Sequence, residues 1–158
     1  MIEMFSSNLN SVWTRLSGVR SFVFVARTEL PAKCGWNGRG EGSVVVDKSG
    51  DNVLIYRENG SWEPDDGKKF EFSNVYKWLL DLQAERIRLE HLRFGAERPI
   101  YLLDMAGRND RLLESIRPYK CGVDEYCLTI SCDKEKEIDL RWFVRGPNKD
   151  TVIHYRYE

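Results

Sequence analysis

The sequence predicts an all-β domain: a single antiparallel, lipocalin-like β-barrel of roughly eight to ten strands behind one short N-terminal helix. Two observations carry that expectation. Apolar residues recur at helical spacing only before Gly18, and from Val19 almost to the last residue they alternate with polar ones. Turn-forming clusters interrupt the alternating runs at short intervals, and no run is long enough for a second helix.

The helix is expected over about residues 4–17, because Phe5, Leu9, Val12, Trp13 and Leu16 share one face. Ser6 or Ser7 is available as cap and Gly18 as stop. The barrel is expected over about residues 19–157. Val19 to Glu29, rich in β-branched and aromatic residues and ending at Pro31, reads as a long buried strand. The glycine-dense stretch Gly35 to Gly42 reads as a flexible connection. Ser43 to Asp47 and Val53 to Glu58 flank Lys48-Ser49-Gly50-Asp51-Asn52, a hairpin by its turn chemistry. Phe70, Phe72, Tyr76 and Trp78 stand at even spacing and give a strand with one aromatic face.

In Arg86 to Phe94 the apolar positions pass from Ile87 and Leu89 to Leu92 and Phe94, a change of face that calls for a bulge or bend. Pro99 to Met105 follows as a strand, and Leu112, Leu113 and Ile116 fit either a strand or a helical turn. Tyr126 to Cys132, Ile138 to Val144 and Thr151 to Tyr157 alternate most cleanly. Closure into a meander is expected, since an open sheet would leave a strand as apolar as Val19 to Ala26 at an edge.

Composition narrows the function classes. The 158 residues suit one domain spanning 1–158, and 42% hydrophobic with 12% aromatic residues can build a sizeable core. The 24 basic and 25 acidic side chains nearly cancel, so neither nucleic acid nor an anionic membrane is an expected partner. Residues 1–18 lack the charge pattern and apolar run of a secretory signal, and the expected location is cytoplasmic. Cys34, Cys121, Cys127 and Cys132 match no redox or zinc spacing, so free thiols and no metal site are expected. No feature of the sequence fixes an oligomeric state.

Several segments together resemble an uncharacterised, mostly bacterial domain-of-unknown-function family with a lipocalin-like barrel. They are Leu16-Ser17-Gly18, Tyr56-Arg57-Glu58-Asn59-Gly60, Tyr76-Lys77-Trp78, the C-G-x-D-x-Y segment Cys121 to Tyr126, the W-x-V-x-G-P-x-K-D segment Trp142 to Asp150, and Tyr155-Arg156. The two longer segments are the specific ones. The sequence departs from the family pattern at Val19 and Arg20, where a tryptophan is expected soon after Gly18, and at Lys120, where a histidine is usual. The resemblance implies a fold and no established activity.

A small hydrophobic or amphiphilic ligand inside the barrel is the leading expectation. The candidate ligand-contacting residues are Arg57, Glu58, Tyr76, Trp78, Tyr126, Arg141, Trp142, Lys149, Tyr155 and Arg156. Glu58 either points inward and ion-pairs with an arginine such as Arg141 or Arg156, or makes a structural salt bridge or a solvated hairpin end. Arg141 and Arg145 either face solvent or, if their face is the inner one, bind an anionic head. Gly146-Pro147-Asn148-Lys149-Asp150 reads as a tight turn; the functional alternative is that Lys149 and Asp150 sit at a barrel mouth and contact a ligand.

Trp13, Trp36, Trp62, Trp78 and Trp142 are either core or the walls of a pocket. No cofactor is predicted; His91 or His154 as an axial haem ligand is the alternative. A barrel lyase or isomerase acting on a tetrapyrrole, with Cys121 or a histidine as the reactive group, is the enzymatic reading. A structural or protein-interaction domain is the third.

Overall fold

The computed structural model describes residues 2–29, 36–109, 111–133 and 136–158, with side chains from residue 8 onward. Pro31, Cys34 and Gly35, and the side chains of Phe5, Ser6 and Ser7, lie outside the described set. The elements are α1 (Ile2–Ser17), β1 (Ser21–Thr28), β2 (Gly38–Lys48), β3 (Val53–Pro64), β4 (Phe70–Asp81), β5 (Arg86–His91), β6 (Ile100–Gly107), β7 (Leu112–Ser115), β8 (Tyr119–Cys121), β9 (Asp124–Ser131), β10 (Ile138–Gly146) and β11 (Lys149–Tyr157). All pairings are antiparallel, and β11 returns to β1 to close a barrel of ten strands. The expected all-β barrel with one helix is what the chain forms.

Between β6 and β9 the wall is a broken strand. β7 pairs with the second half of β9, β8 with its first half, and the Ser115 hydroxyl accepts the Leu128 amide in the break at 3.1 Å. The segment around Leu112, Leu113 and Ile116 is therefore a short strand rather than a helical turn. The face change foreseen near Leu89 is real: the β5–β6 register slips between Leu89 and Glu90. That slip turns both Leu102 and Leu103 toward the interior, Leu103 into the closed core and Leu102 into the cavity described below.

The helix plugs one end of the barrel. Leu9, Val12, Trp13 and Leu16 are buried, while the Trp13 indole N–H donates to the Asp51 carbonyl of the β2–β3 turn at 3.2 Å. The Tyr56 hydroxyl reaches along the barrel axis toward the helix and donates to the Leu16 carbonyl, one of the carbonyls that the helix end leaves without a partner. Against the inner side of the helix, Leu54, Trp78, Ile87, Leu89, Leu128 and Leu140 fill the lumen. Helix α1 begins at Ile2, so Ser6 and Ser7 fall within it and do not cap it.

The glycine-dense stretch is not a loop. From Gly38 it is strand, and its inward-facing positions are glycine because aromatic rings of β1 cross them. A Cβ on Gly42 or on Gly60 would stand 2.6 Å from Cζ of Phe22, and one on Gly40 would collide with the Phe24 ring. The glycines thus make room for Phe22 and Phe24 to lie flat across β2, and strand pairing overrides their preference for irregular backbone. Gly42→Ala is expected to destabilise the fold by about 1–3 kcal/mol, the usual cost of overpacking a closed core, whereas Gly67→Ala, in the turn between β3 and β4, meets only the Pro64 ring at 3.4 Å and leaves the Phe22 contact untouched. Urea denaturation of the two variants, read by tryptophan fluorescence, checks the first of these; an unchanged midpoint for Gly42→Ala contradicts it.

Candidate functional site

Above the plugged half, the barrel is hollow. A cavity of about 590 Å³ opens at the end opposite α1, walled by inward side chains from β1, β3, β4, β5, β6, β8, β9, β10 and β11 and by Trp36. Its surface is dominated by aromatic rings. Phe24 is stacked on Trp62 (centroids 5.3 Å apart, planes at 8°) and on Tyr155 (4.9 Å, 5°), with Phe72 edge-on to Phe24. The polar groups on the wall are few: Asn74, Tyr76, His91, Arg93 and Cys121 with Tyr119, Tyr126 and Tyr155.

Immediately below lies a buried carboxyl group. Alternation along β3 turns Leu54, Tyr56 and Glu58 inward, and Glu58 is only 1% exposed. The hydroxyl of Tyr155 donates to its Oε1 at 3.1 Å and that of Tyr157 to its Oε2. Both tyrosines come from β11, three strands away in the barrel wall, and meet Glu58 across the lumen. Burial pushes the Glu58 carboxyl up to about 7, although the two hydroxyl donors pull in the opposite direction. Burial together with the Glu58 charge raises Tyr56, Tyr155 and Tyr157 well above the ordinary phenol value, so they act as neutral donors.

Glu58 therefore has no ion pair with Arg141 or Arg156, and both of these, like the ligand-contacting candidate Arg57, lie on the outer surface. Arg156 pairs with Glu158 at 3.2 Å, Arg57 with Asp47 at 3.4 Å, and Arg141 is exposed between inward Leu140 and Trp142. The reason is parity: each alternates with a buried or cavity-facing neighbour, and aromatic residues outcompete guanidinium groups for the inner face. Trp78 is also displaced from the site, sealed in the core edge-on to Tyr56. The remaining candidates do gather: Tyr76, Tyr126, Trp142 and Tyr155 line the cavity.

Lys149 stands at the rim with its Nζ 5.2 Å over the Trp36 ring and 3.1 Å from Asp124 Oδ2, while Asp150 faces Arg145 at 3.9 Å. Of the two histidines, His91 stacks on Tyr76 at the cavity wall (4.9 Å) and His154 faces outward, 2.9 Å from Asp139, which removes it from any role inside the barrel. The tryptophans divide, with Trp13 and Trp78 in the core and Trp36, Trp62 and Trp142 on the cavity. Cys121, Cys127 and Cys132 are free thiols, and among the described residues no group of metal-ligating side chains converges.

Several lining residues were not among the ligand-contacting or pocket candidates read from the sequence: Phe24, Phe72, Asn74 and Arg93. Asn74 had a detectable signal, since it shares parity with Phe72 and Tyr76 and so is a lone amide on an aromatic face. Arg93 had none, because it follows the end of β5 and its placement depends on the turn.

The segments that carry the family resemblance are neighbours in space. Residues 124–126 of the C-G-x-D-x-Y segment and 142–145 of the W-x-V-x-G-P-x-K-D segment lie on adjacent strands, Tyr126 opposite Val144 and Glu125 opposite Arg145. A family described as a family of unknown function, DUF6314, matches residues 24–158. The chain belongs to this family. No curated protein matches it. The DUF6314 match covers β2 to β11 entire and all but the first residues of β1, the whole wall of the cavity included, and leaves out α1.

Glu58 makes stability pH-dependent. Its carboxyl titrates near 4.5 when unfolded and near 7 when folded, so between those values the folded chain holds the extra proton. Its contribution is therefore complete below about pH 4.5 and is lost as pH rises through 7, by about 3 kcal/mol at about 1.4 kcal/mol per pKa unit. Glu58→Gln cannot ionise, and its Tm is expected to stay level between pH 5 and pH 8 while that of the natural chain falls. Parallel thermal melts across that range measure it; identical slopes for both proteins contradict the assignment.

Proposed function

We propose that this DUF6314 chain is a binding module that encloses one small hydrophobic or amphiphilic molecule in its barrel, in the manner of a lipocalin-like (calycin) protein. The cavity carries the reading. Its volume of about 590 Å³ falls within the range of roughly 300–1,000 Å³ typical of sites for drug-sized ligands. Stacked aromatic walls with a few isolated polar groups suit a molecule whose body is buried by the hydrophobic effect and whose orientation is set by one or two hydrogen bonds. The plugged end supports the same reading, because a helix and a full aliphatic layer give the chamber a floor.

The enzymatic alternative finds less support. A general base on the wall needs a partner that orients and charges it. His91 instead has Arg93 nearby, and burial and that cation both lower its pKa, leaving a neutral imidazole stacked on a phenol. Cys121 lies at the exposed rim of the chamber.

Ile153 points into the chamber from β11. Ile153→Trp, which fills part of the chamber, is expected to weaken binding of a fluorescent apolar probe such as N-phenyl-1-naphthylamine by about tenfold or more, with the circular dichroism spectrum preserved. Arg141→Gln, on the outer face, is expected to change it by less than about twofold, in line with the small effect of surface changes. Titration of the probe against the three proteins decides; a natural chain that binds no apolar probe, or an Ile153→Trp protein that binds it equally well, refutes the proposal.

A further inference from the structure

Within the binding reading just given, the distribution of polar groups over the chamber fixes which end of a ligand points where. The floor and the rim differ in kind. At the floor are the Asn74 carboxamide and the Tyr76 hydroxyl, both on inward positions of β4, and neither forms a side-chain hydrogen bond with any described residue. Polar groups on an otherwise apolar wall are costly unless something pairs with them. Both sit beside Glu58: Asn74 is its register partner across β3 and β4, and the Glu58 charge acts on Tyr76. A ligand anion at this level would find no cation and, whenever Glu58 is ionised, a like charge, whereas a neutral donor or acceptor would meet two unused partners.

The rim has the opposite character. Among the described residues, no aspartate or glutamate lines the chamber, and Arg93 is the one permanently charged side chain that does. It is exposed, makes no ion pair with any described residue, and lies against the Phe94 ring (5.6 Å to the centroid) just beyond the end of β5. The neighbouring rim charges are already matched, since Lys149 is held by Asp124. Arg93 is thus a cation at the mouth of an aromatic cavity with a donor fork unused.

We infer that the chamber takes a singly anionic amphiphile, held with a neutral hydrogen-bonding group at Asn74 and Tyr76 on the floor and its anionic group against Arg93 at the rim. The ligand class is a compact aromatic or alicyclic acid whose second polar group is a hydroxyl, carbonyl or amide. Affinity comes from the apolar body between Phe24, Phe72 and Trp142, and the two polar contacts determine direction.

The test uses two probes that share one body and differ in charge: 1-anilinonaphthalene-8-sulfonate and the uncharged N-phenyl-1-naphthylamine. Each is titrated against the natural chain, Arg93→Gln, Arg93→Lys and the outward control Arg141→Gln. Arg93→Gln is expected to weaken the sulfonate probe by about tenfold, the value of one charge-assisted contact, and the neutral probe by less than twofold. Arg93→Lys recovers part of the loss, Arg141→Gln leaves both probes unchanged, and added salt erodes only the sulfonate advantage.

Equal effects of Arg93→Gln on both probes, or none on either, overturn the rim assignment while leaving the chamber as a binding site. Failure of the natural chain to bind either probe overturns the binding reading itself. For the floor, Asn74→Leu is expected to improve binding of the neutral hydrocarbon anthracene and to weaken 2-anthrol relative to it. A shift of the same size for both ligands overturns the floor assignment.

Discussion

Ten strands closed into a ring enclose more space than their own side chains fill, and that geometric surplus governs the rest of this structure. Eight strands already give an interior just wide enough for side chains or for one small ligand, and diameter grows with strand number. A ten-stranded ring must therefore be supplemented from elsewhere. At one end the supplement is α1, whose Leu9, Val12 and Leu16 add an aliphatic layer that no strand provides. At the other end nothing in the described chain supplies it, and a chamber remains. The same surplus explains the glycines of β2 and β3: where the wall carries no side chain, the aromatic rings of β1 have room to lie across it, Phe22 within the core and Phe24 on the chamber wall.

The boundary between filled and hollow halves is a layer of tyrosines around one carboxyl group. Such a layer is costly, because Glu58 is taken out of water without a cation. What compensates is proton uptake together with two phenol donors, and both are available because closure brings β11 across the lumen from β3. The layer also links the two halves. Tyr155 contributes its ring to the chamber wall and its hydroxyl to Glu58, and Tyr56, which stacks edge-on with Tyr157, gives its own hydroxyl to the last turn of the helix. The ionisation state of Glu58 is thereby connected through hydrogen bonds and ring contacts to the chamber wall on one side and, by way of Tyr157 and Tyr56, to the helix plug on the other.

Much of this was legible in the sequence, and the limits have a physical cause. Parity along a strand is a local property, so spacing alone shows that Leu54, Tyr56 and Glu58 share one face, that Arg141 and Arg145 share another opposite Leu140 and Trp142, and that Leu9, Val12 and Leu16 share a helix face; which strand face is the inner one it does not show. The slip at Leu89 was visible for the same reason. What spacing does not contain is shear, the stagger with which the ring closes. Shear decides that Glu58 meets Tyr155 and Tyr157 and not an arginine, and that Trp62 reaches the chamber while Trp78, also inward, is sealed below it. The glycines misled because their composition suits a loop, and only the rings that cross them make the strand reading necessary.

The segments Cys121 to Tyr126 and Trp142 to Asp150 behave as a clip at the rim. Asp124 and Lys149 are 16% and 26% exposed at their side chains, so their 3.1 Å pair is screened less than the exposed pairs on the outer wall, such as Arg57 with Asp47 at 56% and 59%. Gly146 is where the turn from β10 to β11 passes under Asp124, and a Cβ there would run into the Asp124 carboxylate. Glycine at 146, aspartate at 124 and lysine at 149 are consequently one device rather than three choices. Its effect is felt on the inward side chains of the same strands: Tyr126 lies two residues from Asp124, Trp142 four from Gly146, and both face the chamber. A turn that looks merely structural in the sequence therefore fixes the stretch of wall on which Trp142 and Tyr126 stand, and the lysine it holds cannot neutralise a ligand without releasing Asp124. That leaves Arg93, on the other side of the mouth, as the cation that meets an entering anion without breaking an existing pair.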